Sequence, residues 1–301
     1  MKILIFGAGA VGGYFGGRLF EAGADVTFFV RGQKERIIKK SGLLIESPHG
    51  NYEFKPKTIT VEDKRKEFDI VVLTCKAYDL SKSVDDLKKI LIGSKVLLPL
   101  LNGISHISFL QKGFGYNNVL GGAAHIASEI KDEIVIRQLN PIQILTFGCI
   151  SPNLEKIAMQ FLEVCNETSF KTVYSRNIIQ SLWNKWTFLA TLAGSTTLFK
   201  SSVGDITSSE IGSKLMADMY HEALLIAEKE KMTVDKKAQD QALEILMKPN
   251  SNFTSSMLRD FKLGLRTEHE HILGDLVRLG VKHKVKTPLL SAAYVNFLTK
   301  E

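Results

Sequence analysis

Gly7, Gly9 and Gly12 stand in a Gly-x-Gly-x-x-Gly pattern directly after the apolar run Ile3-Leu4-Ile5-Phe6. That spacing is a phosphate cradle. The first glycine permits a tight turn, the second lets a pyrophosphate reach the backbone, and the third lets the next helix pack close to its strand. A helix over 10–21 would aim its free N–H groups and positive dipole end at the phosphates. Ala8, Ala10 and Val11 complete the loop, and Gly13, Gly16 and Gly17 would keep the helix slim where it crosses a sheet. The pattern predicts a dinucleotide ligand.

Arg31 ends a second apolar stretch, Asp25-Val26-Thr27-Phe28-Phe29-Val30, about where such sites usually carry an acid for the ribose hydroxyls. A carboxylate there would repel a 2′-phosphate. A guanidinium pairs with it bidentately and stacks on adenine, so NADP(H) is the expected cofactor.

Lys185 shares a four-three-four-three stripe with Ile178, Leu182, Leu189 and Leu192. A lysine on an apolar helix face either snorkels to solvent or is held in a cleft, where burial would lower its pKa toward a range useful for proton donation. Lys76 and Asn102 each lie just past an expected strand, the position where open α/β sheets bind ligands, and also where ordinary loop residues sit. Thr267 and Glu270 have capping-box spacing, which would put Glu268 in the first turn of a helix. His269, Glu270 and His271 are too closely spaced to share a helix face, so no metal site is expected.

These residues need a scaffold. Alternating strand and helix patterns run to about residue 174: strands near 2–6, 25–30, 68–74 and 95–100, a hairpin over 43–54, a helix over 81–90, strand-like runs at 134–138 and 143–147, and a helix over 153–165 capped by Asn153. Beyond residue 175 the pattern is almost wholly helical, over 178–192, 209–229, 236–247, 267–279 and 288–298. The expected fold is α/β: an N-terminal Rossmann-type doubly wound sheet over 1–174, followed by an all-helical C-terminal domain over 175–301. At 301 residues, two domains are the natural division.

Composition narrows the function. No apolar run has the length of a membrane span, and nothing near the N-terminus reads as a signal peptide. Cys75, Cys149 and Cys165 lack metal-ligand spacing and fit reduced thiols, so a cytoplasmic location is expected. The net charge of +7 comes without an aromatic-interleaved basic stripe, so nucleic acid is not an expected partner. A modest positive field would also help gather a phosphorylated cofactor and an anionic substrate.

Several motifs together resemble the ketopantoate reductase (2-dehydropantoate 2-reductase) family along the whole chain. They are Gly7-Ala8-Gly9-Ala10-Val11-Gly12-Gly13, Val30-Arg31, Cys75-Lys76-Ala77, Leu101-Asn102-Gly103, Leu182-Trp183-Asn184-Lys185, Ser255-Ser256-Met257-Leu258 and Arg266-Thr267-Glu268. The resemblance implies that a small 2-oxo acid is reduced by NADPH, with ketopantoate giving D-pantoate in pantothenate biosynthesis. Lys185 would be the general acid, and Glu268 would orient it or a substrate hydroxyl. Ser256 would bind the substrate carboxylate, while Lys76 and Asn102 would line the nicotinamide side, Asn102 also meeting substrate. The partner is a small molecule, without nucleic acid or membrane, and a homodimer is compatible. The family commonly places asparagines four and eight residues after its lysine, where this chain has Leu189 and Ala193. A paralogue acting on another 2-oxo acid, or a non-catalytic NADP-binding regulator, are the rival readings.

Overall fold

The computed structural model describes residues 1–93 and 96–299. Ser94, Lys95, Lys300 and Glu301 lie outside the described residues, including the first residue of the strand expected at 95–100 and the last two of the expected helical domain. The chain divides into two compact units. One comprises Met1–Leu101 and His106–Ile179; the other comprises Asn102–Ser105 and the chain from Gln180 on. Residues 175–179, expected in the helical half, pack with the first unit. The four residues from Asn102, expected in the sheet half, pack with the second.

The first unit contains strands β1 (Lys2–Phe6), β2 (Asp25–Phe29), β3 (Leu43–Glu46), β4 (Tyr52–Phe54), β5 (Lys57–Ile59), β6 (Ile70–Leu73), β7 (Val96–Pro99), β8 (Gly121–Lys131), β9 (Val135–Gly148) and β10 (Lys171–Tyr174). Its helices are α1 (Ala10–Glu21), α2 (Gln33–Ser41), α3 (Leu80–Ile90), α4 (Ser105–Phe114, whose first residue belongs to the second unit) and α5 (Glu155–Asn166). One sheet runs β5-β2-β1-β6-β7, entirely parallel. Its central strands are buried on both faces, as their unbroken apolar runs require: Ile3, Leu4, Ile5 and all four residues of β6 are at most 1% exposed.

A second sheet runs β10-β9-β3-β4, with β8 along the other edge of β9. The expected hairpin over 43–54 is present as antiparallel β3 and β4, but it belongs to this second sheet. The runs at 134–138 and 143–147 are parts of one long strand, β9, whose residues 139–142 bulge opposite Ala127 of β8. Helix α1 lies between the two sheets. A Cβ on Gly16 would approach Phe28 and Ile5 to 2.6–2.7 Å, and one on Gly17 would approach Ile45 and Phe54 to 2.6–2.8 Å. Asn153 is not a helix cap: it lies in a 3₁₀ turn, Pro152–Leu154, that precedes α5.

The second unit is helical: α6 (Ile178–Phe199), α7 (Val203–Thr207), α8 (Glu210–Lys229), α9 (Lys236–Leu246), α10 (Ser256–Lys262), α11 (Asp275–His283) and α12 (Pro288–Leu298). Ser202, Ser209, Asp235 and Ser255 cap their helices through side-chain oxygens. Helix α6 runs a further two turns past the expected residue 192 and is buried on most of its surface, with Trp183, Trp186, Thr187, Ala190 and Thr191 all at most 4% exposed. Buried Glu222 of α8 accepts the backbone N–H groups of Leu289 and Leu290, fixing the start of α12. Among the described residues, no helix is long and apolar enough to cross a membrane.

Candidate active site

The glycine loop begins where β1 ends. Gly7 has φ +113, a conformation open to glycine and strained for other residues. A Cβ on Gly12 would lie 2.1 Å from the Gly7 carbonyl oxygen and 2.3 Å from Thr74 Oγ1, so only glycine lets α1 approach this closely. Thr74 donates its hydroxyl toward the carbonyls of Phe6 and Gly7, at 3.2 and 3.1 Å, and its N–H to Phe6. Sequence reasoning passed over Thr74, although it directly precedes Cys75-Lys76. Gly9 is the N-cap of α1. It offers no capping side chain, the first turn carries no acid, and a Cβ at Gly9 would meet nothing within 4 Å. The first-turn N–H groups, including those of Ala10 and Val11, therefore have neither a capping side chain nor a first-turn acid to offset the helix dipole. A pyrophosphate fits that arrangement.

Arg31 follows β2 and Val30. Its guanidinium lies 5.9 Å from the ring centres of both Phe6 and Phe29, which stack at 4.2 Å. Nε and Nη2 reach Asp86 Oδ2 of α3 at 2.9 and 2.8 Å, and Nη2 is 3.4 Å from Ser83 Oγ. Arg31 and Asp86 line a cleft of about 740 Å³ together with Arg36, Lys40, Lys82 and Glu62. Lys76 is partly buried at the start of a 3₁₀ turn, Ala77–Asp79, just past the carboxyl end of β6, and belongs to the same unit as the glycine loop.

The second unit assembles the other candidates. Lys185 Nζ donates to Asn102 Oδ1 at 3.1 Å, and Asn102 Nδ2 faces Glu268 Oε2 at 3.5 Å. The amide is oriented by charge, its oxygen toward the ammonium and its nitrogen toward the carboxylate. Lys185 is half-buried, and loss of hydration pushes its pKa down to about 8, while the Glu268 carboxylate pulls it back up. Glu268 is 7% exposed.

Local structure holds these groups. On α6, Trp186 Nε1 donates to the Ile272 carbonyl at 2.9 Å. Ile272 lies in a π-helical turn, Glu270–Gly274, that leads into α11. The expected capping box is not formed. Thr267 and Glu268 precede the helical turn, and Thr267 Oγ1 pairs with His269 Nδ1 at 2.8 Å. Glu270 turns instead to Arg278 and Tyr294, while the Glu268 carbonyl accepts the N–H groups of His271 and Ile272.

Ser105 ties the Asn102 loop to this turn. It donates to Asp275 Oδ2 at 2.5 Å and lies 3.0 Å from His271 Nδ1. With the hydroxyl proton committed to Asp275, the imidazole is the donor to Ser105 Oγ. Gly103, at φ +76, lets the loop backbone rest on His271, where a Cβ would lie 2.9 Å from the His271 carbonyl oxygen. Ser105, His271, Asp275 and Trp186 carry no sequence signal of their own, because their role depends on pairings across long stretches of chain.

Ser256 occupies the first position of α10 and is partly buried. It is the neighbouring Ser255 that caps the helix and joins it to α6, through Thr196 Oγ1 at 3.0 Å. Along α6, the hydroxyls of Thr191, Ser195 and Thr196 donate to helix carbonyls four residues back. Ala193 is fully buried, and Leu189 is half-buried.

A parallel sheet with a glycine turn into which a pyrophosphate fits, joined in one chain to a helical unit that holds a lowered-pKa lysine against an amide that in turn faces a carboxylate, has the design of a nicotinamide-dependent oxidoreductase. The chain belongs to the ketopantoate reductase family: the family Ketopantoate reductase PanE/ApbA matches residues 3–152, and its C-terminal counterpart matches residues 177–301. An uncharacterized oxidoreductase of Bacillus subtilis (strain 168), YkpB, is 32% identical over 98% of this chain and 97% of its own. A 2-dehydropantoate 2-reductase of Lactococcus lactis subsp. lactis (strain IL1403) is 27% identical over 100% of this chain and 96% of its own. Among solved structures, a D-mandelate dehydrogenase with NADH and anilino(oxo)acetate superposes with a TM-score of 0.89 at 23% identity, covering 100% of this chain and 98% of that one.

Proposed function

We propose that this protein uses NADPH to reduce a 2-oxo acid to the 2-hydroxy acid, with 2-dehydropantoate to D-pantoate as the leading reaction. The observation that carries this reading is the Lys185–Asn102–Glu268 arrangement. Reduction of a ketone builds negative charge on its oxygen, and an ammonium aimed there lowers the barrier and then gives up its proton. With a pKa near 8, Lys185 is charged at neutral pH yet a better acid than an exposed lysine. Asn102 Oδ1 fixes the direction of the ammonium, and Glu268 keeps it protonated in a poorly hydrated place. Bound NADPH would supply the hydride. The α1 N-terminus would hold its pyrophosphate, and Arg31 would meet its 2′-phosphate. Lys76 is assigned to the nicotinamide side and Ser256 to the substrate carboxylate.

A second reading is favoured by α6. Leu189 and Ala193 present apolar groups where the family commonly has amides, and the hydroxyls of Thr191 and Ser195 are already given to helix carbonyls. Apolar side chains at those two places suit a 2-oxo acid with a hydrocarbon side chain, and the structural neighbour is named for D-mandelate, whose side chain is a phenyl ring. The deciding experiment is NADPH consumption against a panel of 2-oxo acids, with Lys185→Ala as control. The variant should lose about two orders of magnitude or more in kcat while its NADPH affinity stays within about twofold. Undiminished turnover by the variant would remove Lys185 from the reaction.

A further inference from the structure

Arg31, the residue that should read the 2′-phosphate, is not waiting for it. Its Nε and Nη2 both contact one oxygen of Asp86, at 2.9 and 2.8 Å. The two partners are unequally exposed: the Arg31 side chain is 38% exposed and that of Asp86 is 10%. The carboxylate is thus the committed member of the pair. It sits on α3, in the wall of the cleft, and cannot simply swing into water when a ligand arrives. A 2′-phosphate reaching Arg31 meets a carboxylate already bound to the same guanidinium, and like charges at short range repel. Arg36, Lys40 and Lys82 also line the cleft and offset that repulsion, while Glu35 and Glu62 add to it. Glu35 is itself paired with Lys39 at 2.6 Å.

A cofactor without the 2′-phosphate meets the opposite situation. Sites for NADH usually read the ribose hydroxyls with a carboxylate at the end of the second strand. Here that place holds Arg31, but Asp86 brings a carboxylate to the same guanidinium from a different element. The cleft therefore contains both kinds of reader, a cation for a phosphate and an acceptor for a hydroxyl.

We propose that Asp86 is a specificity-determining residue of the cofactor cleft, lowering the affinity for the 2′-phosphorylated dinucleotide and accepting a ribose hydroxyl of the unphosphorylated one. The preference for NADPH over NADH is then narrower than Arg31 alone would give. The inference rests on the assignment of this cleft to a nicotinamide dinucleotide.

The test is equilibrium binding of NADPH and NADH, measured by calorimetry on the full chain, for the unmodified protein, Asp86→Asn and Asp86→Ala. Asparagine keeps the shape and removes the charge, and thermal melts of both variants report whether the fold survives. Asp86→Asn should tighten NADPH by about tenfold and loosen NADH by about threefold, the scale expected for hydrogen bonds to a charged group. Adenosine 2′,5′-bisphosphate should follow NADPH, and AMP should follow NADH. If both dinucleotides keep their affinities, or both weaken equally, Asp86 merely braces Arg31 and the inference falls while the cofactor assignment stands. If the unmodified protein binds neither dinucleotide, the assignment itself fails and takes the inference with it.

Discussion

Glu268→Gln separates the proton donor from the charge that sustains it. Lys185 Nζ is 3.1 Å from Asn102 Oδ1, and Asn102 Nδ2 is 3.5 Å from Glu268 Oε2, so an amide group stands between the charges. A separation of roughly 7 Å at an effective dielectric constant of about 20 gives an attraction of about 2 kcal/mol. Glutamine keeps an oxygen for the Asn102 amide but loses that attraction, while the desolvation that lowers Lys185 remains. At ~1.4 kcal/mol per pH unit, the Lys185 pKa should fall by about 1–2 pH units from its value near 8. The sign is set by the acid role. Reduction needs the ammonium, so kcat/KM is full below the pKa and falls as pH rises through it. The unmodified protein should show an alkaline limb near pH 8, and Glu268→Gln should move it toward neutrality. The assay is kcat/KM for the best 2-oxo acid between about pH 5 and 10 with NADPH saturating, which reports groups of the form that binds substrate. An unmoved limb would refute the electrostatic role of Glu268. A profile flat across pH 8 in the unmodified protein would refute Lys185 as the acid.

Two further outcomes follow from the same geometry. Gly12→Ala places a methyl group 2.1 Å from the Gly7 carbonyl oxygen and should cost about 1–3 kcal/mol of stability by denaturant unfolding, whereas Gly9→Ala, whose methyl meets open space, should melt normally yet bind NADPH at least about tenfold more weakly by calorimetry. The kcat/KM ratio of ketopantoate to 2-oxoisovalerate should be modest in the unmodified protein and should rise in Leu189→Asn with Ala193→Asn. A ratio of about a thousand or more before any change would show that other groups already read the 4-hydroxyl.

The parts of this molecule legible in the sequence are the local ones. Strand β1, the glycine turn and α1 lie within about twenty consecutive residues, where Gly7 takes a positive φ and a Cβ on Gly12 would strike the Gly7 carbonyl oxygen. The helical unit was legible because its periodicity is also local. The second sheet was not. Strand β9 receives β3, β8 and β10 from widely separated stretches, and the Gly-Gly-Ala-Ala start of β8 has no strand signature. The capping box at Thr267 has the right residues, yet Arg278 and Tyr294 claim Glu270, and tertiary contacts override the local motif. Lys185, Asn102 and Glu268 stood out through family resemblance, since periodicity alone left Lys185 with two readings. The Arg31–Asp86 pair spans 55 positions, and no local pattern announces it.

The proposed proton donor and its partners are built within a single compact unit, and the short excursion from Asn102 to Ser105 makes that possible. Those four residues follow a parallel-sheet strand and join the unit that carries Lys185, on α6, and Glu268, just before the π-helical turn. Ser105 fastens the excursion to Asp275 and His271, Gly103 lets its backbone lie against His271, and Trp186 fastens α6 to the same π-helical turn. Burial pushes His271 below the usual histidine value, although Asp275 and Glu268 oppose it, so the imidazole is neutral at neutral pH and acts as a fixed donor instead of a second cation beside Lys185. The ammonium, amide and carboxylate are thereby held in register by hydrogen bonds that need no ligand. A dipole and charge already aimed at the place where negative charge will develop need little reorganisation when the reaction occurs, and that preorganisation is the physical basis for assigning catalysis to this unit.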